Sequence, residues 1–250
     1  MGKFEYYGKG LPGIDLYELK GHLIVLEGTD GVGRSTQVGL LRSWLESRGH
    51  AVLDTGMARS ALAGKGIKKA KRGHTLGGVT QNLFYATDFA DRLENEMIPA
   101  LRAGFVVLTD RYIYSLMARA IVRGANPEWI KDVYNFALQP DAIFYLRIGI
   151  DDLIPRVLHS SGFDYWESGM DMRLGDNLFT SFSKYQSRLL SEFDAMVSSY
   201  GFQVIDAAKT IEEIFAVLRD RIAQIVEPSP ARPLNPPLDP SPPESDKKRA

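Results

Sequence analysis

Cysteine is absent from the whole 250-residue chain. That excludes disulfides, thiol nucleophiles and zinc–thiolate sites, and it agrees with a reducing compartment. Long apolar runs are absent too. None approaches the roughly 20 residues that a membrane-spanning helix needs. Charge of one sign is also missing: 30 Lys and Arg stand against 31 Asp and Glu, a formal −1. No overall basic field therefore points to nucleic acid. The opening residues Met1-Gly-Lys-Phe-Glu-Tyr6 hold no apolar signal core and no Ser or Thr of a myristoylation signal. The expectation is a cytoplasmic protein that engages neither a membrane nor nucleic acid. What is present, 44% hydrophobic and 24% charged residues, is the composition of a globular domain.

One stretch organises the rest. His22-Leu-Ile-Val-Leu-Glu27 reads as a buried strand, and Gly28-Thr-Asp-Gly-Val-Gly-Arg-Ser-Thr36 follows it directly. The spacing Gly28-x4-Gly33-Arg34-Ser35 is the P-loop pattern, with arginine where lysine is expected. In such a loop the backbone N–H groups and the start of the next helix form a cup of partial positive charge for phosphates. An ordinary glycine-rich turn would have similar glycines. Ser35-Thr36, the strand before and the amphipathic stripe after (Val38, Leu41, Leu45) select the phosphate site.

Strand and helix patterns then alternate. Strands are expected at 51–55, 105–109, 141–147 and 202–206. Helices are expected at 79–102 with Pro99 kinking it or marking a break, at 112–123, 127–138 and 151–159, and over long apolar stripes starting at Leu178 and Ile211. This alternation predicts an α/β fold in three layers, with about five parallel strands and helices on both faces. Residues 1–21 read as an aromatic, glycine-rich N-terminal extension, 22–226 as the domain, and 227–250 as a disordered or polyproline tail holding eight of the 13 prolines. The aperiodic stretch 160–176 reads as a mobile lid. Lys65, Lys68, Lys69, Lys71 and Arg72 read as a solvated basic face. No aromatic residues interleave them, so a nucleic-acid stacking platform is not expected.

A second anchor is Asp110-Arg111-Tyr112, at the end of the 105–109 strand. An aspartate there can hold Mg²⁺ opposite the Ser35 hydroxyl, and an adjacent arginine can clamp a phosphate with two N–H bonds. Alone, the pair could equally be a helix cap on the surface. Beside a P-loop it reads as a metal and phosphate site.

With these pieces in place the chain resembles the thymidylate kinase family of P-loop nucleoside monophosphate kinases over residues 22–226. The resemblance rests on Leu26 to Gln37, Leu83-Phe-Tyr-Ala86 through Ile98-Pro-Ala-Leu101, Asp110-Arg-Tyr-x-x-Ser115, and Val204-Ile-Asp-Ala207. It implies a homodimer that transfers the γ-phosphoryl group of Mg·ATP to dTMP. By position it implies that Gly28, Thr29, Asp30, Gly31, Val32, Gly33, Arg34, Ser35 and Thr36 hold ATP, with Ala207 beside adenine. Ser35 and Asp110 would bind Mg²⁺. Asp30 would face the sugar hydroxyl of the monophosphate, Tyr85 would stack on thymine, and Ser115 would line the nucleoside pocket. Arg34 and Arg111 would be the catalytic cations, and 160–176 the lid over ATP.

The chain departs from the family pattern mostly on the acceptor side. Thr-Arg-Glu-Pro after the second strand reads Thr55-Gly-Met-Ala58. The arginine four residues after the stacking aromatic is Phe89, so Arg92, one turn further, is expected to reach over the acceptor phosphate. Lys68 is expected to replace another phosphate-binding arginine. The Tyr-Gln after the Asp-Arg motif reads Arg119-Ala120, and the lid's Asp-Arg-x-Glu reads Asp164-Tyr-Trp-Glu167. A kinase for another nucleotide or deoxynucleoside, and a nucleotide-binding module without catalysis, are the alternative readings.

Overall fold

The five strand patterns become neighbours in one sheet. The computed structural model describes residues 4–73, 76–160 and 162–227, so the proline-rich stretch from 228 onward lies outside the described residues. The strands are β1 (His22–Glu27), β2 (Val52–Gly56), β3 (Val106–Asp110), β4 (Ala142–Arg147) and β5 (Gln203–Asp206). Their order is β2-β3-β1-β4-β5, and every pairing is parallel.

Alternation along the strands assigns the two faces. Leu23, Val25 and Val107 enter one core with Phe89 of α3 (Gly78–Arg92), Leu101 of α4 (Ile98–Arg102), Leu116 of α5 (Ile113–Val122) and Phe193 of α8 (Leu178–Tyr200). Ile24, Leu26, Val106 and Leu108 enter the other with Leu41 of α1 (Arg34–Ser47) and Leu218 of α9 (Ile211–Val226). Burying each such side chain contributes about 1.5–3 kcal/mol. A one-residue slip would exchange the faces, so these side chains fix the register. That register pairs Leu26 with Asp110, Asp110 with Gly56, and Arg147 with Asp206. The loops after β1, β2, β3 and β5 therefore open on one edge, and the chain order switches at β1, where a parallel sheet offers its ligand crevice.

The 79–102 helix is interrupted next to Pro99, as the proline leads one to expect: a π-helical turn, Leu93–Met97, separates α3 from α4. Proline has no N–H to give and its ring crowds the carbonyl four residues back, and the wider turn accommodates both. The 127–138 helix stops at Val133, as α6 (Pro127–Val133). The chain beyond it pairs with the N-terminal extension instead. Tyr7 N–H donates to Ala137 O at 3.0 Å, and Tyr6 forms an antiparallel bridge with Leu138. The remaining stretch is the one read above as a lid.

After α7 (Ile150–Ser160), this stretch forms turns that are tied down by hydrogen bonds. Asp164 Oδ1 accepts from the N–H groups of Trp166 (2.9 Å) and Glu167 (3.2 Å). Ser181 Oγ donates to Ser168 O, and Gln186 Nε2 to Glu167 O, both at 2.7 Å. A sequence without periodicity still orders when its backbone finds side-chain partners.

Candidate active site

The loop between β1 and α1 is shaped by its glycines. Gly28 has φ +145°, and a Cβ there would stand 2.7 Å from Leu146 O. Gly31 has φ +78°, and its Cβ would meet Val157 of α7 at 2.4 Å. No other residue fits either place without displacing backbone or a packed valine. Val32 turns into the core, whereas Ser35 and Thr36 at the start of α1 are exposed.

Arg34 is 5% exposed and runs beneath the loop. Its Nε donates to Asp110 Oδ1 at 2.7 Å, and Nη1 donates to Gly28 O at 2.5 Å and to Thr29 O. A planar fork can serve a carboxylate and two carbonyls together in a way that a lysine ammonium does not. Nη2 makes no hydrogen bond among the described residues, which leaves one end of the guanidinium for a ligand. Ser35 Oγ donates to Asp110 Oδ2 at 2.7 Å. Burial works to raise the Asp110 pKa. The guanidinium groups of Arg34 and Arg111 and the hydrogen bonds from Arg34 and Ser35 outweigh it, and bring it down to about 2.

This shift makes a pH prediction. The ionised Asp110 binds its partners only in the folded state, so its stabilisation is complete above the ordinary value of 3.8 and is lost as pH falls through about 2. Denaturant unfolding between pH 5 and 2 is expected to show this loss in the wild type and a shallower fall in Asp110→Asn. An unchanged acid profile in the variant refutes the assignment.

Arg111 follows β3 with φ +73°, a left-handed conformation that is rare outside glycine. The turn is held from both sides. Its N–H donates to Leu26 O at 3.0 Å, and the next N–H, of Tyr112, donates to Glu27 Oε1 at 2.8 Å. Arg111 Nη2 donates to Asp30 Oδ1. Arg119 Nη2 donates to the other oxygen, Oδ2, at 2.5 Å. Burial would raise the Asp30 pKa, but Arg119, Arg111 and Arg34 together hold it far below the usual carboxylate range.

Beside this cluster lies a narrow cleft with a free volume of about 20 Å³, lined by Tyr85, Lys71, Arg119, Arg123, Tyr134 and Trp166 among others. The 160–176 segment closes it. Trp166 Nε1 donates to Lys71 O at 3.1 Å, and the Lys71 ammonium sits 5.8 Å from the indole centre. Arg123 Nη2 donates to Trp166 O at 3.0 Å, and its Nε pairs with Asp171 at 2.8 Å. The segment expected over ATP thus covers the Tyr85 side, and α7 is the element packed against Gly31.

Several expected site residues lie elsewhere. Arg92 does not line the cleft. It is fully buried and donates to Asp88, four residues back, at 3.1 Å. Ser115 is also buried. A hydroxyl there must find a partner, and it donates to Glu27 Oε2 at 2.5 Å rather than facing the nucleoside pocket. The Ala207 side chain is in the core and its N–H donates to Arg147 O at 2.9 Å, so it presents nothing to a ligand. Lys68 lies on the outer surface near Arg72 and Asp164. Lys71, nearly one turn further along α2 (Gly64–Gly73), enters the cleft instead. Asp30, expected to face a sugar hydroxyl, has both oxygens taken by guanidinium groups. The loop, Asp110 and Arg111 are joined by hydrogen bonds, and Tyr85 lines the cleft beside Arg119.

Glu27, Lys71, Arg123 and Trp166 were not legible as site residues, and Arg119 stood out only as a departure. Two signals were there. Glu27 ends an otherwise apolar strand, and it is 0% exposed and accepts three hydrogen bonds from Tyr112 and Ser115. Burial raises its pKa against those donors. Ser115, Arg119 and Arg123 follow at four-residue spacing, which puts them on one helix face.

A family model described as thymidylate kinase matches residues 26–217. A "Probable thymidylate kinase 2" from Saccharolobus solfataricus is 34% identical over 213 residues, covering 84% of this chain and all of that protein. A "Thymidylate kinase" from Bifidobacterium longum subsp. infantis is 30% identical over 227 residues, covering 83% and 91%. A "Probable thymidylate kinase" from Thermococcus kodakarensis is 37% identical over 143 residues, covering 54% and 70%.

Proposed function

Because this chain belongs to the thymidylate kinase family, we propose that it transfers the γ-phosphoryl group of ATP to dTMP, giving dTDP and ADP. The observation that carries this reading is the junction of two anchors. The phosphate loop and Asp110-Arg111 meet through Arg34–Asp110, Ser35–Asp110 and Arg111–Asp30, beside a cleft that holds the Tyr85 ring.

Phosphoryl transfer depends on alignment and on spreading negative charge. The loop's N–H groups from Gly28 to Ser35 hold the ATP phosphates, with Thr36 supporting the loop, and the free end of Arg34 braces the transferring group. Arg111 lies between donor and acceptor. Tyr85 offers its face to the thymine ring. The acceptor phosphate is already anionic, so no general base is needed.

Ser35 Oγ and the ionised Asp110 carboxylate, 2.7 Å apart, are the hard oxygen ligands that Mg²⁺ takes, and the triphosphate completes the set. They fit the ion, and when bound it neutralises charge on the phosphates.

A homodimer accompanies this reading. Val79 and Leu83, one turn apart on α3, are 63% and 47% exposed, and pairing with a second copy would cover them. No helix among the described residues is long and apolar enough to cross a membrane, and we place the activity in the cytoplasm.

A coupled ADP-release assay over a panel of nucleoside monophosphates and nucleosides tests the reading. The highest kcat/KM is expected with dTMP. A higher value with another acceptor replaces the substrate, and ATP binding without turnover on any acceptor overturns the enzyme.

A further inference from the structure

We infer that Arg119 is the second guanidinium, beside Arg111, that holds the acceptor's phosphate. The inference rests on the kinase reading above and assigns a substrate contact to a residue outside the family pattern.

The backbone places Arg119 without any ligand. Ser115 is pinned to Glu27 through both its N–H (3.2 Å) and its Oγ (2.5 Å). This fixes the first turn of α5 against the end of β1. Arg119 lies one turn later on the same face, so its side chain is carried over the phosphate loop. Its Nη2 meets Asp30 Oδ2 at 2.5 Å, while Arg111 takes Oδ1. The loop carboxylate therefore pre-orients two guanidinium groups side by side, one oxygen for each.

Donor count then favours an anion. Asp30 gives each guanidinium group one oxygen, Glu167 and Lys71 lie around the pair with opposite charges, and most of the N–H donors are left over. Arginine carries five N–H donors, and the Arg119 guanidinium makes no other hydrogen bond among the described residues. Arg111 Nε is buried and lacks a hydrogen-bond partner. A buried guanidinium N–H is costly to leave unpaired. A phosphate seated between the two side chains would satisfy it and could accept from both forks.

The surroundings offer no better candidate. Phe89 is buried in the core, Arg92 is turned to Asp88, and Lys68 is outside. The segment that closes the cleft sets Glu167 near the two guanidinium groups, and its own arginine, Arg173, is exposed and outside the cleft lining. Arg123 is held by Asp171, Tyr185 and Trp166 O. Arg119, 15% exposed on its side chain, touches the loop on one side and lines the cleft with Tyr85 on the other.

Steady-state kinetics of the full chain with Mg·ATP and dTMP test this, with thermal unfolding run beside them. In Arg119→Gln, Asp30 keeps Arg111 as partner, so the fold is expected to survive with little change in Tm. KM for dTMP is expected to rise roughly 10- to 100-fold, the range for lost charged hydrogen bonds. KM for ATP should stay within about twofold, and Arg119→Lys should recover part of the loss by restoring charge without the fork. An unchanged KM for dTMP, an equal rise for both substrates, or a loss confined to kcat overturns the assignment. If the wild type prefers another monophosphate, the dTMP reading fails and the same comparison is made with that acceptor. A wild type that binds no nucleoside monophosphate by calorimetry overturns both.

Discussion

Arg34→Ala is expected to lower kcat for phosphoryl transfer by about 10³-fold or more, the scale of loss when a cation on a transferring phosphoryl group is removed. Three effects combine. The charge facing the γ-phosphate disappears. Gly28 O and Thr29 O lose their shared donor, so the loop's cradle loses its inner support. Asp110, which is 8% exposed, keeps Ser35 but loses its nearest cation. Arg34→Lys separates these effects: an ammonium restores the charge but cannot span the carboxylate and both carbonyls in one plane. We expect it to regain part of kcat and little of the lost thermal stability. The measurements are kcat by ADP release and Tm on the same preparations. Turnover in Arg34→Ala within tenfold of wild type would remove Arg34 from the mechanism.

The second large effect is on stability. Asp88→Ala is expected to cost about 3–5 kcal/mol, the range for leaving a buried charge without its partner. Asp88 and Arg92 are both 0% exposed and bond at 3.1 Å. Arg92 Nη1 and Nη2 are already buried without partners, so Asp88 is the carboxylate that makes this guanidinium tolerable. It also accepts the N–H groups of Ala58 at 2.9 Å and Ser60 at 3.0 Å. Those bonds hold Ala58 at φ +60°, in the left-handed region. Losing them frees the loop after β2, one of those that open on the site edge. At about 2–4 °C per kcal/mol for a chain of this size, Tm should fall by roughly 10 °C. A fall below about 2 °C would show that Arg92 finds another partner or leaves the core.

How far the chain was legible depended on whether the information was local. The five strands were legible because parallel strands buried on both faces carry dense apolar runs such as Leu23 to Leu26. The phosphate loop was legible because its geometry is set by glycines at fixed spacing. Asp110-Arg111 was legible because the end of a buried strand places it. Arg92, Ser115, Ala207 and Lys68 were misplaced for one reason. Position in a motif says which turn of the chain a residue occupies, but not which buried group claims its side chain. Asp88 claimed Arg92 and Glu27 claimed Ser115. The core took Ala207, and the pitch of α2 gave Lys71 the place expected for Lys68.

By itself the sequence determined the alternating α/β architecture, the phosphate cup and its unusual arginine, because spacing and hydrophobic period are properties of neighbouring residues. Tertiary structure decided where the charges go. Asp30 lies 81 and 89 residues from Arg111 and Arg119 along the chain, and only the parallel register and the pinning of α5 to Glu27 bring both guanidinium groups to its carboxylate. Buried charges must be paired, and the partners that satisfy that need are chosen by the packed sheet rather than by the chain's order.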